Sequence, residues 1–125
     1  MVAKQYNDDF NKGDTKAAVA LCTGNAVIID DFPPHAWQGA NTCSDWFAAL
    51  ATYKKSAGIT NEKVTLGKPW HVTVTGDRAY AVYPTHYTYM LNGKKVTEQD
   101  VWTFAMQKTD AGWRVAGWAW ASKVS

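Results

Sequence analysis

No stretch of this 125-residue chain approaches the run of about 20 apolar residues that a membrane span requires, so no membrane partner is expected. No basic tract stands out either. Thirteen Lys and Arg are spread along the sequence against eleven Asp and Glu, for a formal net charge of +2. Nucleic-acid binding concentrates positive charge in a stripe, and no nucleic-acid partner is expected here. Cysteine is scarce. Cys22 and Cys43 have neither metal-ligand nor redox spacing, and two cysteines make no disulfide framework. Both are read as free thiols, with a single bridge as the alternative. No nucleophile elbow, phosphate-binding loop or dinucleotide fingerprint occurs, and no His, Cys and carboxylate cluster has ligand spacing. Covalent catalysis, a metal site and a bound cofactor are therefore left out of the expectation.

What the chain has in quantity is aromatic side chains: seven Trp, six Tyr and four Phe. Each buries roughly 150–250 Å², so the interior is expected to be built from rings. The polar tips of Trp and Tyr need partners when buried, which suits a core that lines a cavity. The length fits one domain spanning residues 1–125.

Helical spacing comes first and strands dominate the second half, the segregated pattern of an α+β domain. Val2, Tyr6 and Phe10 recur at i, i+4 and i+8 in a helix from Val2 to Lys12 that Gly13 ends. It starts without a capping residue. Asp14 is a good N-cap for a short helix from Thr15 to about Cys22. The β-branched run Ala26 to Asp30 reads as a first strand, and Pro33-Pro34 forces a loop after it. A third helix, capped by Asn41 or Thr42, carries Trp46, Leu50 and Tyr53 on one stripe. Four alternating strands follow, over Asn61–Thr75, Arg78–Leu91, Lys94–Lys108 and Trp113–Ala121, joined as an antiparallel meander.

Turn chemistry fixes the register. Asn92-Gly93 predicts a type I′ hairpin that sets Thr85 opposite Asp100, Tyr83 opposite Trp102 and Tyr87 opposite Glu98. Tyr83, Thr85, Tyr87, Asp100, Trp102 and Phe104 then share one face. The Gly76-Asp77 turn adds Trp70, Val72 and Val74 to it. That face is expected to be buried, so the Asp100 carboxylate must find hydrogen bonds, pair with a cation or stay protonated. The longer last loop leaves the facing of Trp118 and Trp120 open.

This order of elements, with the helix-ending Asn11-Lys12-Gly13-Asp14 and the late Gly112-Trp113-Arg114-Val115-Ala116-Gly117-Trp118, resembles the NTF2-like cone fold. That superfamily includes ketosteroid isomerase, scytalone dehydratase and the SnoaL-type polyketide cyclases. The resemblance implies three helices packed on a curved, mostly antiparallel sheet. It also implies roles by position. Tyr6 matches the tyrosine of ketosteroid isomerase, Asp30 its catalytic base and Asp100 its protonated aspartic acid. Abstracting a proton beside a carbonyl needs such a base, with donors at the oxygen where charge develops.

The ligand-binding surface is expected from Trp37, Trp46, Trp70, Tyr83, Tyr87 and Trp102, with His35 at the cavity mouth. His71 and His86 fall on the outer sheet face, roughly 13 Å apart along the strand, too far to share a metal. Tyr80, Val82, Pro84, Val101 and Thr103 make that outer face apolar, and a homodimer through it is expected. The functional expectation is a protein that binds a small apolar or aromatic ligand, as a cofactor-free isomerase, cyclase or lyase working by acid–base chemistry. The alternative is a non-catalytic binding or assembly module of the same fold. A soluble cytoplasmic protein is expected, with a removed N-terminal leader left open.

Overall fold

The computed structural model describes residues 1–123. Helix α1 (Val2–Lys12) ends where Gly13 turns left-handed, at φ 74°, as the sequence predicts. Asp14 caps α2 (Thr15–Ala20) by accepting from the Ala17 N–H at 3.1 Å. Strand β1 (Cys22–Ile29) then starts four residues earlier than expected, cutting α2 short. After the Pro33-Pro34 loop come β2 (Ala36–Trp37), α3 (Thr42–Ala57), β3 (Ile59–Leu66) and β4 (His71–Thr75). The long strands β5 (Arg78–Leu91), β6 (Lys94–Thr109) and β7 (Gly112–Ala121) complete the chain.

The strands form one curved, unclosed sheet in the order β2-β1-β7-β6-β5-β3, with β4 paired to β5. Every neighbour is antiparallel except β1 with β7, which run parallel. That pairing needs a glycine. A Cβ on Gly117 would stand 2.6 Å from the Val27 carbonyl oxygen, closer than two such atoms can approach.

The predicted β5–β6 register is the observed one, with Tyr83 facing Trp102, Thr85 facing Asp100 and Tyr87 facing Glu98. Asn92 and Gly93 both take positive φ, as a type I′ turn requires. The expected single strand over Asn61–Thr75 is instead two. Lys68 precedes Pro69, which has no N–H for a ladder, while Pro84 on the facing β5 has none either. Gly67 bridges the break by donating its N–H to the Pro84 carbonyl at 2.8 Å.

The expectation that Trp70, Val72 and Val74 are buried is corrected by this break. All five residues of β4 are exposed, and Trp70 is 66% exposed. Val72 and Val74 do pair with Ala81 and Ala79 on the inner face, but no described element covers this exposed corner of the sheet.

The core lies where α1 and α3 cover the inner face. Tyr6, Trp102 and Phe104 are fully enclosed, and Tyr6 meets both other rings edge-on at about 6 Å. Such pairs add ~0.5–1.5 kcal/mol beyond the area they bury. Asn11 fastens α1 to the sheet edge: its side chain accepts from the Val64 N–H at 2.9 Å and donates to the Val64 carbonyl at 2.7 Å. In doing so it replaces a neighbouring strand.

The free-thiol expectation is also corrected. Cys22 and Cys43 form a disulfide, with Cα atoms 6.6 Å apart. Sequence spacing gave no hint, because the contact exists only once the first turn of α3 packs against the start of β1. No described helix is long and apolar enough to cross a membrane.

Candidate functional site

A cavity of about 220 Å³ opens between α1, α3 and the inner sheet face. Trp46, Leu50, Tyr53 and Lys54 reach it from α3, and Phe10 from α1. From the sheet come Tyr87, Trp102, Trp118 and Trp120. The two late tryptophans, whose facing the sequence left open, thus both point inward. Trp102 meets Trp118 and Trp120 edge-on, with ring centroids 5.3 Å away in each case. Interlocked rings of this kind have few rotamers to escape into, so the wall is stiff.

Asp30 stands in this wall at the end of β1. One carboxylate oxygen accepts from the Trp46 indole N–H at 2.9 Å and the other from the Asp31 backbone N–H at 2.7 Å. Burial pushes its pKa up to about 7; the Asp31 N–H pulls it down, while the Asp31 charge pushes it up and the Trp46 bond opposes. Desolvation wins.

Tyr6 does not line the cavity. It lies one layer behind, and its hydroxyl accepts from the Trp118 indole N–H at 3.1 Å. Burial raises its pKa above the usual phenol range. Asp100 is buried, at 3% exposed, but faces a second hollow of about 500 Å³ lined by Trp70, Pro84, Thr85 and His86 among others. Its carboxylate accepts from the Lys123 backbone N–H at 2.8 Å. Burial and the neighbouring Glu98 carboxyl raise its pKa to about 6. The structure therefore brings Asp30 together with Trp46, Tyr87 and Trp102, and leaves Tyr6 and Asp100 outside that cavity.

The other expected ligand residues are also elsewhere. Trp37 packs on Phe32 with ring centroids 5.0 Å apart, and Tyr83 donates its hydroxyl to Met1 Sδ at 3.5 Å. His35 is exposed, its Nδ1 3.2 Å from the Asp30 carbonyl oxygen.

Sequence reasoning missed the acidic side chains of this cavity. Asp31, Glu62 and Glu98 line it beside Asp30, with Lys54 ion-paired to Glu62. Tyr87 donates to Glu62 at 3.1 Å and Tyr89 to Glu98 at 2.6 Å. Both tyrosines are held protonated above the usual range, first by burial and then by these bonds and charges. A signal was available: Glu98 alternates with Asp100 and Trp102, so the same counting puts it on the inner face.

Fold and cavity together define a small α+β cone with an aromatic, acid-bearing interior. The SnoaL-like domain model matches residues 3–120, so the chain belongs to that family, within the NTF2-like superfamily. Solved structures agree on the architecture. An NTF2-like family protein from Streptomyces avermitilis superposes with a TM-score of 0.81 at 16% identity, over 99% of this chain and 93% of that one. A ketosteroid isomerase-like protein from Erwinia carotovora gives 0.77 at 18% identity, over 99% and 92%. An NTF2-like protein with a cystatin-like fold from Novosphingobium aromaticivorans gives 0.74 at 19% identity, over 97% and 77%. No curated protein matches the chain.

Proposed function

We propose that the protein binds a small, largely apolar molecule in the cavity between α1, α3 and the sheet, and that Asp30 exchanges a proton with it. One observation carries this reading: a carboxyl group stands in an aromatic wall with its pKa raised to about 7. At neutral pH such a group is close to half protonated and can take or give a proton. Its orientation is held by Trp46 and the Asp31 backbone. Cofactor-free isomerisation, cyclisation or elimination begins with such a proton transfer. At about 220 Å³ the cavity is below the roughly 300–1,000 Å³ of drug-sized sites, which favours a small substrate.

The test is proton exchange in D2O, followed by NMR over a panel of small cyclic ketones and enones. Deuterium entering beside the carbonyl with the parent protein, and not with Asp30→Asn, is the expected result. Equal exchange by both proteins would remove Asp30 from the chemistry.

A second reading, binding without turnover, draws support from Tyr6 and Asp100 lying off the cavity wall. Retention of a ligand by the parent and by Asp30→Asn alike, with no exchange in either, is its signature.

A second copy covers the outer strip, where Tyr80 is 46% exposed and Val82, Pro84 and Val101 are only half-buried; light scattering that gave a monomer would refute this. The Cys22–Cys43 bridge favours an oxidising compartment over the cytoplasm.

A further inference from the structure

We infer that the cavity selects an organic cation: an ammonium group, quaternary or protonated, on a ring or short apolar body. This rests on the binding role proposed above and adds charge to it.

The first ground is uncompensated negative charge. Four carboxyl groups, Asp30, Asp31, Glu62 and Glu98, line the cavity, and Lys54 is the one cationic side chain among its lining residues. Lys54 is already committed to Glu62. The donors to the other three are neutral: Trp46 to Asp30, Ser122 to Asp31 and Tyr89 to Glu98. Neutral donors satisfy lone pairs without cancelling charge, so the field stays negative inside a partly dry hollow.

The second ground is the wall itself. Trp46, Trp102, Trp118 and Trp120 surround the space, and the face of an indole is the best aromatic partner for a cation. An apolar wall for a neutral ligand would need no acids beside it. An anion would meet repulsion from Asp31 and Glu98, and from the ionised fraction of Asp30.

An isosteric pair tests the inference: 4-hydroxyphenyltrimethylammonium against 4-tert-butylphenol, which differ in one atom and one charge. Calorimetric titration of the disulfide-bonded protein at low ionic strength should show the cation binding about tenfold tighter or more. Added salt should narrow that gap. Glu98→Gln and Asp31→Asn should each narrow it at least about threefold while leaving the phenol within about twofold. Asp31 is exposed, so its variant keeps the test alive if the Glu98 substitution disturbs folding.

If the phenol binds as tightly as the cation, the pocket reading survives and the charge inference fails. If neither binds at millimolar concentration, both fail. If the cation wins but neither variant narrows the gap, the charge is recognised elsewhere and the inference is overturned.

Discussion

The indole N–H of Trp46 lies 2.9 Å from a carboxylate oxygen of Asp30, joining the third helix to the end of the first strand across the cavity wall. This contact sets how readily Asp30 loses its proton, because a donor favours the charged form while burial opposes it. Replacing Trp46 by Phe keeps a ring in the wall and removes the donor. The Asp30 pKa should then move up from about 7, read by carboxyl carbon NMR, with about 1–2 kcal/mol of stability lost. A downward shift would mean that water admitted beside the smaller ring outweighs the lost donor.

Asp30 also makes stability depend on pH, and the sign is opposite to that of a salt-bridged acid. Its folded pKa of about 7 lies above the unfolded value near 3.9. The folded state holds a proton through that interval which the unfolded chain has released. The stabilisation is complete below about pH 4 and is lost as the pH rises through 7, for a total on the order of 2–4 kcal/mol. Asp100, raised to about 6, acts in the same direction but finishes earlier. Asp30→Asn should flatten urea-derived stability between pH 6 and 7 and reduce the slope below pH 6 to the part that Asp100 supplies. A parent protein with no slope in the upper window would contradict the raised value.

The Cys22–Cys43 bridge closes a loop across 21 residues, and it ties the base of α3 to the strand that carries Asp30. By loop-closure entropy it should contribute about 3 kcal/mol. Reduction, or Cys22→Ala with Cys43→Ala, should lower the unfolding free energy by that amount, move the denaturation midpoint down and raise the denaturant dependence, since the released chain exposes more surface on unfolding. An unchanged midpoint would show that packing of α3 holds the corner unaided.

The contrast between the β5–β6 hairpin and the disulfide explains what could be read from sequence. Asn92-Gly93 is a local instruction: two adjacent residues with positive φ fix the pairing of fourteen residues on either side. Alternation did the rest, placing Trp102 and Phe104 inward. Pro69 signals the break at Gly67–Pro69, but the bridge across it was not visible, because it depends on Pro84 lying opposite in another strand. The burial of Trp70 failed for the same reason, since strand alternation assigns a face but not whether a helix covers it. Asp30, Tyr6 and Asp100 carry the residue types that the isomerase resemblance implies. Their separation, Asp30 in one hollow and Asp100 in another, is set by packing between elements distant in sequence, which no spacing rule supplies.

The parallel pairing of β1 with β7 supplies the last prediction, because it is the contact on which the position of Asp30 depends. Asp30 follows Val27 by three residues, and Val27 is held against Gly117. An alanine Cβ at Gly117 would lie 2.6 Å from the Val27 carbonyl oxygen and 3.4 Å from its nitrogen. Both are backbone atoms, so no side-chain rotation can relieve the clash and β1 itself must shift. Gly117→Ala should cost about 1–3 kcal/mol and weaken ligand binding by displacing Asp30 from Trp46. Gly24→Ala is the matched control on the same strand, where the nearest atom would be 3.7 Å away, an ordinary contact. There the loss of unfolded-chain freedom should leave stability equal or raised by about 0.4–1 kcal/mol. Equal losses at the two positions would mean that β1 tolerates alanine nowhere, and that the close approach at Gly117 is not what fixes the strand.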